Sequence, residues 1–245
     1  MHFDPRSKLS EISKATPQLW SVAYVEKENS IFCAEKDLNA AIEGGADAIV
    51  FINEFSAYDN LHSVIKGLRP KYPAVKMGVN YLGDSEEPYG YKGTFFLCRE
   101  YGLEIAWTDF SGVDLINERP PVSLHDIEAE RAKNSFYCSG IHMKYSTLVD
   151  PSKTLIQSAY QVIGWVDGIL LTGPATGTLP LPENISAVRE VVGHYPLGLA
   201  SGVSAQSAHL IRGLVDFCLV GTSLFDGENR VVRTKVSDLA RCLKI

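Results

Sequence analysis

A histidine and a lysine stand two residues apart in the segment GIHMKY, as His142 and Lys144. The apolar run around them predicts a strand over residues 136–145, and on a strand residues two apart share one face. A desolvated lysine can act as a base or form a Schiff base, and histidine transfers protons near neutral pH. With Asp109, at the end of the preceding predicted strand, they are the candidate catalytic residues. The alternative is structural: His142 is held by hydrogen bonds, and Lys144 pairs with Asp109 or binds an anion.

Two glycine-containing turns indicate a phosphate site. The segments SGVS (201–204) and GTS (221–223) each follow a short apolar run, and small residues there leave backbone N–H groups free to bind an anion. The alternative is a tight turn that needs glycine only for close packing. A third segment, TGPATG (172–177), is rich in hydroxyl groups and would lie over the same end of the fold. The candidate ligand-binding residues are Asn53, Asn80, Thr172, Gly173, Ser201, Gly202, Gly221 and Thr222.

These residues need a scaffold that brings strand ends together, and the chain has a repeating one. Short apolar runs alternate with helix-like segments, which predicts a parallel sheet because each parallel pair needs a crossover. The patterns AIEGGADAI and VIGWVDGI both give a helix end, a glycine, an aspartate and an apolar strand. We predict one (β/α)8 TIM barrel over residues 1–245, with residues 1–18 as a lead-in and a helix after each strand. The predicted strands are residues 19–26, 47–53, 76–82, 104–110, 136–145, 168–173, 196–202 and 216–223.

The length of 245 residues suits this fold, since such barrels typically have about 250. A doubly wound open sheet is the alternative, and the lack of G-x-G-x-x-G after the first strand disfavours it. The polar loop at residues 83–93 is long for a compact barrel, which predicts a lid or a contact surface.

Composition excludes several kinds of protein. The net charge is −6 without any basic block, which argues against nucleic acid as the main partner. No apolar run reaches the roughly 20 residues of a membrane span, and no signal-peptide core is present, so we expect a cytoplasmic protein. The 5 dispersed cysteines indicate reduced thiols rather than disulfides or a metal site. The composition permits a homo-oligomer without indicating one.

Six segments together carry a family resemblance: DAIVFIN, MGVNYL, GIHMKY, LLTGPATG, LASGVS and LVGTSL. In this order and spacing the chain resembles the BtpA family over residues 35–243. The resemblance implies a (β/α)8 barrel with phosphate loops like those of the ribulose-phosphate-binding barrels. It also implies a role in photosystem I biogenesis, or the nucleosidase or sugar-metabolism assignment of some relatives.

The chain departs from the family pattern at three places. YVEKENS (24–30) stands where the family has H-L-x-P-L-P-G. At the second strand, Ile52 replaces the acidic residue of V-E-N, and the following Glu54 is expected to point away from the lumen. In the fifth strand, Tyr145 replaces the last histidine of H-V-K-H.

Two functional hypotheses follow. In the first, the barrel binds a small phosphorylated metabolite, such as a sugar phosphate or a nucleotide-like compound, and acts on it as a nucleosidase, lyase or isomerase. In the second, which the departures favour, it is a non-catalytic assembly or regulatory factor. No cofactor is required, although FMN can use the same phosphate loops.

Overall fold

The computed structural model describes residues 4–28, 30–54, 56–115 and 121–244. Within these ranges it contains a closed barrel of 8 parallel strands, which confirms the predicted (β/α)8 architecture. Neighbouring strands pair in sequence order around the barrel, and the last strand pairs with the first. The barrel strands are β1 (Gln18–Tyr24), β2 (Ala48–Ile52), β3 (Met77–Asn80), β4 (Ile105–Thr108), β5 (Phe136–Gly140), β6 (Gly168–Leu171), β7 (Leu197–Leu199) and β8 (Phe217–Val220). Outside the barrel, Asp114–Leu115 pairs antiparallel with Thr147–Leu148.

Helices surround this barrel, and one precedes it. None of the helices in the described ranges is long and apolar enough to cross a membrane. The α-helices are α1 (Pro5–Ile12), α2 (Ser30–Glu43), α3 (Tyr58–Leu68), α4 (Tyr91–Tyr101), α5 (Leu124–Glu130), α6 (Leu155–Val162), α7 (Pro182–Val192) and α8 (Arg233–Leu243).

One expectation about the connections is wrong. Between β7 and β8, where a full helix was predicted, the described chain has only a 3-10 turn at Ala208–Leu210. The loop at residues 83–93, predicted as a lid or a contact surface, packs against the barrel through Tyr89, which is buried and stacks on Phe110 with ring centroids 4.0 Å apart. Its role stays a prediction.

The lumen is filled by large aromatic side chains. Trp20 stacks on Phe217 at 4.5 Å and meets the edge of Phe136 at 5.7 Å. Helix α1, within the predicted lead-in, closes the lower end of this core, because Leu9 and Ile12 pack into the same cluster. The lower end of the barrel is therefore a packed core, and any ligand cavity has to lie at the opposite, carboxyl end of the strands.

An acidic residue precedes each even-numbered strand and binds a backbone N–H of the strand before it. Asp47 accepts from Leu19 at 2.8 Å, and Asp167 accepts from Tyr137 at 2.9 Å. Glu104 accepts from the N–H of Met77 at 3.1 Å and Asp216 from that of Leu197 at 2.9 Å. The repeated glycine–aspartate pattern of the sequence is thus a set of links between neighbouring strands at the lower end.

Each of these carboxylates also has a cation beside it. Asp167 is nearly buried and lies 3.0 Å from Lys8 and 2.5 Å from Arg131, both of which are nearly buried too. Lys8 comes from α1, so this cluster also fastens the lead-in helix to the barrel. Removing one member of a buried ion cluster leaves the others without their counter-charge, which is costly.

Replacing Asp167 with alanine should lower the free energy of unfolding by about 3–5 kcal/mol, because the buried Lys8 and Arg131 would lose the counter-charge that they share. Urea unfolding followed by circular dichroism measures this loss. The matched control is Asp238→Ala, which removes an aspartate from an exposed pair with Arg241 and should cost less than about 1 kcal/mol. Equal losses in the two variants would contradict this account.

Candidate functional site

The loops after β7 and β8 enclose a cavity of about 210 Å³. It is bounded by residues 201–204 and 221–223, the two segments that the sequence singled out. The hydroxyl of Ser223 donates to the carbonyl of Val203 at 2.7 Å and so ties the two loops together. Among the described residues, the N–H groups of Gly202, Val203, Thr222 and Ser223 have no hydrogen-bond acceptor. The cavity therefore presents backbone donors without acceptors.

Gly202 has no room for a side chain. Its φ is +72°, and a Cβ atom there would lie 2.0 Å from the backbone nitrogen of Leu179. A Cβ atom on Gly173 would lie equally close, 2.0 Å, to the carbonyl oxygen of Thr178. A side chain at either position would displace the loop at 173–181, which packs beside the cavity. Both glycines are therefore needed for the close packing of this loop.

Ser201 holds the same loop. Its hydroxyl accepts from the N–H of Gly173 at 2.8 Å and donates to the carbonyl of Thr178 at 2.9 Å. Although Ser201 lines the cavity, both hydrogen bonds go to the protein. Its geometry is that of a residue that positions the wall, and direct contact of its side chain with a ligand stays a prediction.

A second cavity, of about 250 Å³, lies at the mouth of the barrel near β2 and β4. Asp109 and Lys144 both line it. Asn80, on β3, donates to Asp109 Oδ1 at 3.1 Å. Burial raises the pKa of Asp109 to about 6, and the charge of Lys144 and the Asn80 hydrogen bond oppose that rise. A carboxyl group that titrates near neutral pH in a cavity suits proton transfer.

Several buried polar atoms around this cavity have no hydrogen-bond partner in the part of the chain that the structure describes. They include Asn80 Oδ1, Trp107 Nε1 and Asp114 Oδ1. An unsatisfied buried polar atom costs about 1–3 kcal/mol, so such atoms are normally bonded to water or to a ligand. The cavity is thus suited to a polar molecule.

His142 does not line the cavity of Asp109, and the prediction that it shares a strand face with Lys144 is wrong. Strand β5 ends at Gly140, and His142 has a φ of +49°, so the alternation of a strand does not extend to Lys144. The His142 ring lies 3.0 Å from the hydroxyl of Ser158 on α6, and burial lowers the pKa of the imidazole. Its observed contact fastens the loop after β5 to the helix.

The side chains of two other predicted residues accept hydrogen bonds from backbone N–H groups. Asn53 accepts from the N–H of Leu82 at 2.8 Å, which links the ends of β2 and β3. Thr172 accepts from the N–H of Lys144 at 3.0 Å and so fixes the backbone that carries the lysine. Both residues position the site, and a direct ligand contact for either remains a prediction.

Trp107, Glu54 and Asp114 line the cavity of Asp109 but were not among the predicted site residues. Trp107 could have been found, because it lies two positions before Asp109 in the predicted strand 104–110, where residues two apart share one face. Glu54, expected to point away, also lines this cavity. Asp114 follows an irregular segment, where no periodic pattern gives a side chain's direction.

One loop separates the two cavities. Thr176 lines the cavity of Asp109, and the next residue, Gly177, lines the cavity of the β7 and β8 loops. The N–H of Thr176 donates to the hydroxyl of Tyr145 at 3.3 Å, which connects this loop to the one after β5. Since consecutive residues face the two cavities, one elongated ligand could occupy both.

Comparison with solved structures agrees with this architecture. The chain is similar to a tryptophan synthase alpha subunit from Legionella pneumophila (11% identity, covering 98% of each chain, TM-score 0.67). It is also similar to phosphoribosyl anthranilate isomerase from Thermus thermophilus (14% identity, 92% of this chain and 98% of that one, TM-score 0.60). All are (β/α)8 barrels. At these identities the likeness shows the fold alone.

No protein-family model and no curated protein sequence matches the chain. The resemblance to the BtpA family, which the six sequence segments suggest, therefore stays a hypothesis. The barrel fold that it implied is confirmed.

Replacing Asp109 with asparagine should stabilise the protein at neutral pH. The folded-state pKa of about 6 lies above the ordinary 3.8, so the folded protein holds this proton more tightly than the unfolded chain. The contribution of the Asp109 carboxyl to the free energy of unfolding is therefore lost as pH rises from about 4 to about 6. Asparagine resembles the neutral carboxyl, so Asp109→Asn should gain about 1–2 kcal/mol at pH 7 and almost nothing near pH 4.

Urea unfolding at several pH values measures the difference. The control is Asp126→Asn, at an exposed aspartate whose pKa is lowered by hydrogen bonds from Ser123, and it should gain no stability at pH 7. A loss of stability in Asp109→Asn at pH 7 would show that the ionised carboxylate is well compensated in the folded protein.

Proposed function

We propose that this barrel binds a small phosphorylated metabolite at the carboxyl end of its strands. The phosphate would lie in the cavity of the β7 and β8 loops, against the N–H groups of Gly202, Val203, Thr222 and Ser223. The observation that carries the proposal is this set of free donors on two loops that a hydrogen bond from Ser223 holds together. Converging backbone N–H groups favour anions, and no acidic side chain is among the described residues that line the cavity.

The comparisons are consistent with this proposal. One similar structure, phosphoribosyl anthranilate isomerase, is named for a phosphorylated substrate. The BtpA resemblance points the same way, because it implies phosphate loops at these positions. Neither carries the substrate or the reaction over to this chain.

The second cavity supports acid–base chemistry on the bound molecule. Asp109 would transfer a proton, since its pKa of about 6 leaves both protonation states accessible near neutral pH. Lys144 would stabilise negative charge that develops on the substrate, or act as the nucleophile of a Schiff base. These roles fit a nucleosidase, a lyase or an isomerase.

A non-catalytic assembly or regulatory factor is the second candidate. The observation that favours it is the position of His142, which is turned towards α6 and leaves the cavity with two of the three expected catalytic residues. In that case the phosphorylated molecule would be an effector rather than a substrate.

Replacing Thr222 with proline should weaken phosphate binding about tenfold, because it removes one N–H that would bond to the anion. Proline is tolerated at the first position of a helical turn, and Thr222 begins the 3-10 turn Thr222–Leu224. Thr222→Val is the matched control, since it deletes the hydroxyl but keeps the N–H. Calorimetric titration with inorganic phosphate, sugar phosphates, nucleotides and FMN measures the affinities. Equal affinities for the two variants would place the anion elsewhere.

Replacing Lys144 with methionine separates the two candidate functions. If the barrel is an enzyme, Lys144→Met should keep phosphate affinity within about twofold and lower turnover at least about 100-fold, because the lysine lies in the second cavity. Turnover is assayed on whichever phosphorylated compound binds. The non-catalytic function predicts binding without turnover in both proteins. A loss of phosphate affinity as large as that of Thr222→Pro would make Lys144 an anion ligand instead.

A further inference from the structure

The two sides of the barrel mouth differ in charge. The described residues that line the β7–β8 cavity include no charged side chain. The cavity near β2 and β4 is lined by Glu54, Asp109 and Asp114, against the single basic residue Lys144 among its described lining. Burial raises the pKa of the neighbouring Tyr24, the charges of Glu54 and Asp109 add to this rise, and a hydrogen bond with Thr222 opposes it. Acidic groups therefore outnumber basic ones on this side.

Lys144 does not compensate all of these acids. Its charge acts on Asp109, whose pKa it lowers against the larger effect of burial. Asp114 is fully buried, and its Oδ2 accepts from the N–H of Met143 at 2.9 Å and from Ser146 Oγ at 3.2 Å. Its Oδ1 has no hydrogen-bond partner in the described ranges, although the charge and the backbone N–H of His142 also lower the pKa of this carboxyl. This second, independent observation points to a missing donor at the cavity.

The aromatic wall fits a positively charged donor. Trp107 is 6% exposed and lines the same cavity, and indole attracts cations more strongly than other aromatic side chains. An ammonium group has three donors and no acceptor, which suits carboxylates that lack a partner. The unpartnered indole N–H needs an acceptor, which a hydroxyl or ester oxygen elsewhere on the ligand would supply.

We propose that the β2–β4 side of the mouth is a cation subsite, and that the natural ligand carries a phosphate at one end and a protonated amine at the other. This inference rests on the proposed phosphate function for the first end. Since Thr176 and Gly177 line the two cavities as consecutive residues, a single molecule can reach both across one loop. The substrate class is thus an amine-bearing phosphate ester rather than a neutral sugar phosphate.

A length series of synthetic phosphate esters tests the amine separately from the phosphate. The probes are ω-aminoalkyl phosphates of increasing chain length, and each is paired with the ω-hydroxyalkyl phosphate of the same length. Inorganic phosphate and the corresponding amino alcohols complete the set. Calorimetric titration at low ionic strength should show, at the best length, about tenfold tighter binding of the amine than of the alcohol, which corresponds to about 1.4 kcal/mol.

The double variant Glu54→Gln/Asp109→Asn should reduce this preference below about twofold while leaving the affinity for inorganic phosphate unchanged. Neither change is expected to unfold the protein, because Glu54 is exposed and Asp109 is costly to ionise. Glu11→Gln, on an exposed residue of α1 at the opposite end of the barrel, is the control with the same kind of charge change and should keep the full preference.

The outcomes distinguish the two proposals. Binding of inorganic phosphate without an amine preference at any length overturns the cation subsite and leaves the proposed function in place. A preference that persists in the double variant also overturns it, because the amine then binds elsewhere. Glu54-dependent binding of the amino alcohols, with no affinity for inorganic phosphate and no tighter binding of the aminoalkyl phosphates, overturns the phosphate function. It then also overturns the two-ended ligand and leaves only the cation subsite.

Discussion

The links between neighbouring strands at the lower end are the constraint on which the rest of the barrel depends. Asp47, Glu104, Asp167 and Asp216 each accept a hydrogen bond from the strand before them. A closed barrel has to keep a fixed stagger between strands, and these side chains hold four of the pairings in place. Because the strands are short, a register fixed at one end also fixes which residues emerge at the other. The positions of Asn80 and Asp109 relative to each other follow from it.

The two ends of the barrel use their charged groups in opposite ways. At the lower end, Asp167 and Asp216 each have two cations beside them. At the mouth, burial raises the pKa of both Asp109 and Asp114, so these carboxyls are costly to ionise. Functional sites commonly carry such unfavourable groups, and the stability of the rest of the fold offsets them. This contrast separates the part of the barrel that holds it together from the part that is available to a ligand.

Much of the fold could be predicted from local patterns. The closed barrel and the location of the β7 and β8 loops agree with the sequence, because alternating strand-like and helix-like segments and apolar runs ending in glycine are local signals. The end of β5 could not be predicted, since Ile141 and Met143 continue the alternation although the backbone turns at His142. Loop residues such as Glu54 and Asp114 face the cavity through contacts distant in sequence, to which no periodic pattern is sensitive.

The proposed phosphate site of the β7 and β8 loops, called the anion cradle below, would use only main-chain donors, and this has an evolutionary consequence. Any residue except proline supplies an N–H, so substitutions at Val203, Thr222 or Ser223 alter the cradle's donors little as long as the turns keep their shape. Residues of the other cavity, by contrast, act through their side chains, and each exchange there changes the chemistry. A lineage built on this barrel can therefore retain one half of its ligand while diversifying the other. Sequences of such a lineage would then share only the glycines of the two loops. The specificity of each protein would depend on the side chains at the mouth of its barrel.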